Sequence, residues 1–252
     1  MSTMPTPDEL ETIRTDCENL CRQCAPIDLG SHPVYPVFAH ELSEPSDLFW
    51  GCTSALLDIA MRPTIGSRWR GRGPCFMVNA QALYEIARRQ CEVSGLPPLP
   101  RFKMLCLAVG LHEIAHVLAD GHNFREASPA ASERIVETLV PIFKNFIRRE
   151  SPIFGTDEVE RRDHDERWIR CALHLHHRAC ATNYWPLLAM QLDVVADLEL
   201  YGLSPVWKFE RAIGDEPARL IGLSIAEILA SEPPGEFSKL YTADTDRLKG
   251  LQ

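Results

Sequence analysis

Residues 104–118 read MLCLAVGLHEIAHVL, a stretch with one charge, Glu113, and no proline. Met104, Leu107, Leu111, Ala115 and Leu118 recur at helical spacing and make one apolar stripe. Leu105, Ala108, His112, His116 and Ala119 make a neighbouring stripe, with small residues beside the histidines. A helix this apolar is expected to be buried, and two histidines and a glutamate inside it need partners. Residues four apart lie one turn apart on the same helix face, so His112 and His116 can reach a single metal ion. Glu113 then stands beside that ion, placed to take a proton from an attacking water and hand it to a leaving group. The plainer alternative is a pair of core histidines bonded to backbone, with Glu113 in a salt bridge.

Composition sets the frame for that helix. A chain of 252 residues, 45% apolar and 24% charged, can bury a sizeable core. The net charge of −9 argues against binding nucleic acid through a general basic surface. The one basic cluster, Arg68-Trp69-Arg70-Gly71-Arg72, is expected as a solvated loop. The first twenty residues show no basic n-region followed by an apolar core, so no secretory signal is expected there. No membrane span is expected either, and nine cysteines without a signal fit reduced thiols in a cytoplasmic protein. Cys17, Cys21 and Cys24 sit at i, i+4, i+7 and are expected as a packed helix face.

The local signals predict a mainly helical α+β chain with a small sheet before the His112–His116 helix. Thr6-Pro7-Asp8-Glu9 reads as an N-cap, a first-turn proline and acids, opening a helix to Cys24. Residues 26–45 are rich in proline and expected extended, with a short strand over Val34–Phe38. Residues 47–61 read as helix, 66–73 as loop, Cys75–Val78 as strand and 80–93 as helix. GLPPLP (95–100) reads as a linker, and the motif helix is expected from Arg101 to Asp120. Further helices are expected over 128–149, with a kink at Pro141, 163–180, 187–201, 206–213 and 217–230, with 151–160 a loop. Asp163 reads as the N-cap of the second, with Glu166 three residues on. One domain is expected, with an N-terminal helix (1–26), a core (27–205) and a C-terminal helical extension (206–252).

His112-Glu113-Ile114-Ala115-His116 resembles the H-E-x-x-H signature of the zincin superfamily of zinc metallopeptidases. The resemblance implies a zincin-like fold, zinc held by His112 and His116, Glu113 as general base, and hydrolysis of a peptide or protein substrate. A catalytic zinc usually takes three protein ligands and leaves one position open. Three candidates compete for the third. His164-Asp165-Glu166-Arg167-Trp168 is similar to the H-G-x-x-[FW] element of SprT-like zincins, with Asp165 in place of glycine, and His164 is taken first. His122 has the spacing of the metzincin motif, although Ala119 replaces its glycine and Met190 lies in a helical context without a Met-turn. Asp193 and Asp197, four apart, are similar to the downstream carboxylate ligands of other zincins. His174, His176 and His177 cannot all face one metal, and one of them, Tyr184 or Tyr201 could donate a hydrogen bond to the transition state. Two rivals stay open: a non-catalytic zincin-like binding or regulatory module, and a regulatory peptidase resembling the ImmA/IrrE type.

Overall fold

The computed structural model describes residues 4–42, 50–92, 94–121, 124, 128–147, 164–184, 198 and 202–249, with the side chains of 145–147 excepted. His122, Asp163, Met190, Asp193, Asp197 and Tyr201 lie outside them, as do the expected loop 151–160 and all but Leu198 of the expected helix 187–201.

Helix α1 (Pro7–Cys24) begins as the sequence predicts, with Thr6 and Glu9 capping each other and Pro7 in the first turn. A short helix α2 (Pro26–Leu29) interrupts the stretch expected to be extended. Strands β1 (Tyr35–Phe38), β2 (Gly51–Thr53) and β3 (Cys75–Val78) form a mixed sheet in the order β1-β3-β2. β1 runs parallel to β3, with Tyr35 opposite Cys75, and β2 runs antiparallel to it, with Gly51 opposite Val78. Pro36 is tolerated because β1 is an edge, and its carbonyl accepts from the Arg14 guanidinium at 2.8 Å.

β2 corrects the helix expected over 47–61. Within that range the described residues hold only a single turn, α3 (Leu57–Ala60). Pairing with β3 supplies Gly51–Thr53 with ladder hydrogen bonds that outweigh local preference, and Thr53 adds a bond from its hydroxyl to the Cys75 carbonyl. After the turn α4 (Arg62–Ile65), the arginine loop also differs from a fully solvated one. Arg70 is largely exposed, but Arg72 is buried and its Nε donates to Asp58 Oδ2 at 2.6 Å. Asp58 also accepts from the Gly73 N–H, and Arg72 donates to the Ala55 carbonyl, so this ion pair ties the loop to α3.

Helix α5 (Ala80–Glu92) leads to α6 (Pro98–Ala119), the motif helix. α6 starts three residues earlier than expected and takes Pro98 and Pro100 into its first turn, where missing N–H groups cost nothing. It packs against α1, α5, β2 and β3. Gly110 lets the sheet come close, since a Cβ there would stand 3.2 Å from the Phe76 ring. Cys17 and Cys21 of α1 face α6, their thiols reaching the carbonyls of Cys106 and Gly110. All nine cysteines are free. By length and composition α6 could cross a membrane, contrary to the expectation that no segment could. Here 78% of its most apolar window is buried inside the protein.

Helix α7 (Pro129–Ile147) contains Pro141 and packs on α3. Then come α8 (Glu166–Ala179) and α9 (Val206–Ile213). The single helix expected over 217–230 is two, α10 (Glu216–Arg219) and α11 (Ile225–Ala230). The reason is local: Ser224 and Glu227 form a capping box that starts a new helix, and Asp28 accepts from the N–H groups of Ile225 and Ala226. Helix α12 (Gly235–Lys249) closes the described chain. One hydrophobic cluster runs from Leu10 and Leu20 through Leu107, Trp168 and Phe209 to Ile228 and Phe237.

Removing one partner of a buried ion pair leaves the other charge uncompensated, which costs about 3–5 kcal/mol. Asp58→Ala should therefore lower the unfolding free energy by about that amount in denaturant titrations, while Glu85→Ala, in exposed pairs with Arg88 and Arg89, should leave it nearly unchanged.

Candidate metal centre

α6 supplies two residues of the site and buries almost everything else. Between Met104 and Val117, only His112 and His116 keep contact with solvent. The third residue comes from the start of α8. Asp165, not Asp163, is the N-cap of α8, and its carboxylate accepts from the Trp168 N–H at 2.8 Å. His164 therefore stands just before the helix rather than in its first turn. The aspartate occupying the place of the glycine in the H-G-x-x-[FW] element is thus the residue that starts the helix. Arg167, in the first turn, reaches the Ala119 carbonyl at the C-terminus of α6 and holds the two helix ends together.

The imidazoles converge. His112 Nε2 lies 3.2 Å from His116 Nε2 and 3.2 Å from His164 Nε2, and one nitrogen from each ring lies within 4.8 Å of the others. Two ligands about 2.0–2.1 Å from one ion at tetrahedral angles stand roughly 3.3–3.4 Å apart. The observed separations match that edge. A single Nε2 carries one proton or one lone pair and serves two such neighbours poorly, whereas one cation accepts a lone pair from each. The donor set fits a metal ion, and the group can hold one. Trp168 closes one side, with ring centroids 4.7, 5.1 and 4.2 Å from those of His112, His116 and His164.

The electrostatics favour ligation. Burial pushes the His164 imidazole down to about 2, with the charge of a protonated His116 adding to the effect. His164 is thus held neutral, the form a ligand must have. Burial pushes the Glu113 carboxyl up to about 8, well above the usual carboxylate range. Its Oε1 lies over Gly51 of β2, the one place on that strand where no side chain intervenes.

Of the residues proposed from sequence, His112, His116 and His164 are brought together, with Glu113 adjacent in chain. The alternative ligands His122, Asp193 and Asp197 lie outside the described residues. His174 and His176 of α8 have partners elsewhere. His174 is fully buried with Nε2 2.9 Å from Glu216 Oε1, in a cluster where Arg170 also bonds Glu216. His176 lies near Cys180 and Glu210. Tyr184 is not placed to assist at the metal, because its hydroxyl donates to Asp16 at 2.8 Å. Asp16 also pairs with Lys103, nine residues or about 13.5 Å of helix rise before His112. Gly51 was not singled out by sequence reasoning. A glycine in an otherwise apolar stretch signals a close approach, but only once the stretch is read as a strand.

Comparison with protein-family models, with characterised proteins and with solved structures gives no match, so the reading of this site rests on its own geometry.

Loss of one of three ligands should cost more than the roughly 10–100-fold in metal affinity typical of outer-shell changes. In competition with a chromophoric chelator, His164→Ala should therefore weaken zinc binding by more than about 100-fold, and Tyr184→Phe should leave it unchanged.

Proposed function

We propose that this protein is a zinc-dependent metallopeptidase of zincin-like fold, with zinc held by His112, His116 and His164 and Glu113 as general base. The convergence of three imidazole nitrogens, with the buried Glu113 next to His112 in the chain, carries the reading. A purely structural site has no use for that glutamate. The partial exposure of His112 and His116, in a helix otherwise buried around them, supports access of water and substrate to a metal held there. The three-histidine donor set favours zinc over harder cations, which prefer oxygen. The placement of His164 favours a histidine third ligand over the carboxylate of the ImmA/IrrE-type rival.

Zinc held by these three histidines would polarise a substrate carbonyl and lower the pKa of a water toward neutrality. Glu113 takes the proton of the attacking water onto its carboxylate and returns it to the departing amine, work suited to a carboxyl whose pKa lies near the working pH. His164 and Trp168 exclude water from one side of the centre and fix the direction of the histidine rings. The substrate is a peptide or protein chain.

The purified protein should carry about one zinc per chain by elemental analysis, and should hydrolyse casein. Glu113→Gln should keep the zinc yet lose about 100- to 10,000-fold in activity. A protein that neither carries nor takes up zinc would sink the proposal, and loss of zinc from Glu113→Gln would place Glu113 among the ligands.

A further inference from the structure

We infer that Gly51 is a positioning residue for the Glu113 carboxylate: its missing side chain is the space that Oε1 occupies against strand β2. The inference rests on Glu113 acting as the base. A Cβ built at Gly51 would stand 2.7 Å from Glu113 Oε1, 2.5 Å from Val109 Cγ1 and 3.2 Å from the Met77 carbonyl oxygen. Two of these neighbours lie on the helix that carries His112 and His116, and the third on the strand beside β2. Val109 and Glu113 are one turn apart on α6, and Met77 lies on β3, paired with Cys52.

The glycine is not there for its backbone. Gly51 is absent from the glycines with positive φ, and it sits in a regular antiparallel register opposite Val78. At such a position alanine ordinarily stabilises a protein, because it restricts the unfolded chain. Space is what demands glycine here. Of the three neighbours, the Met77 carbonyl is held in the sheet and Val109 is a branched side chain, 2% exposed. The carboxylate is the far end of a flexible side chain, so it is the group that would yield. Misplacing a reacting group by about 1 Å can cost about 100-fold in rate. Gly51 thus acts on the reaction through Glu113, and its strand supplies the wall against which the carboxylate rests.

The test uses the full chain and separates the carboxylate from the hydrocarbon contact. Val109→Ala removes the clash with the branched side chain, and Gly51→Ala is then added to it. Zinc affinity and the visible spectrum of the Co2+-substituted protein should match those of Val109→Ala alone, because the three histidines are undisturbed. Casein hydrolysis should fall about 100-fold in kcat with KM little changed. Thermal unfolding completes a cycle independent of activity: in the Val109→Ala background, Gly51→Ala should lower Tm when Glu113 is present, and should leave or raise it when Glu113→Ala is also present. Hydrolysis at the level of Val109→Ala, or a Tm loss of equal size with and without the Glu113 side chain, would overturn the inference. A changed cobalt spectrum would also overturn it, by placing the effect at the ligands. Should the wild-type protein show no hydrolysis, the peptidase reading fails, and the Tm cycle alone still decides whether Gly51 makes room for Glu113.

Discussion

A nearly uncharged helix must be hidden on every side, and the rest of the molecule is arranged to hide α6. α1 lies along it with a row of cysteines, small enough for close approach and polarizable enough to lie against its carbonyls. α5 covers another side and β3 a third, with the Phe76 ring set against Gly110. Fully burying side chains such as Leu105, Leu107 and Ile114 stabilises the fold by about 1.5–3 kcal/mol each. The two residues of that helix that reach solvent in its central turns are the two histidines. The constraint that buries the helix therefore also determines where the site opens.

The centre needs a third element to be complete, and α8 reaches it through a short chain of local interactions. Asp165 caps the helix, which sets the direction of the backbone at His164. Trp168, whose N–H is the one capped, lays its ring against all three imidazoles. Arg167 ties the same turn to the Ala119 carbonyl at the end of α6. Further along α8, Arg170 and His174 bind Glu216, and Arg178 donates to the carbonyls of Cys24 and Leu223. In Glu216, burial alone would raise the pKa, but the hydrogen bonds from Arg170 and His174 outweigh it and keep the carboxylate charged. These buried charges anchor α8 between the N-terminal and C-terminal parts of the chain, so the position of His164 depends on both.

The three histidines and the glutamate differ in how they are held. The imidazoles are oriented by helix spacing, a cap and an aromatic ring. The carboxylate is oriented by a gap in a strand. That difference leaves the three imidazoles little affected by changes in the sheet, and the Glu113 carboxylate sensitive to them.

Much of this was legible in the sequence because it depends on spacing along one element. Histidines four apart, the capped start of α1 at Thr6 and the strands at Tyr35–Phe38 and Cys75–Val78 follow from rules of local geometry. The tertiary structure decided what depends on partners distant in chain. Gly51–Thr53 is a strand because β3 is beside it, although its own neighbourhood reads as helix. Arg72 is buried because Asp58 is there to receive it, and α8 begins at Asp165 because that carboxylate caps it. The break at Ser224 was written as a capping box, Ser224 to Glu227, but apolar periodicity masked it. A helix repeats every 3.6 residues and announces its own faces. The approach of His164 to His112 spans 52 residues, and only the packing of α8 on α6 brings their nitrogens to 3.2 Å.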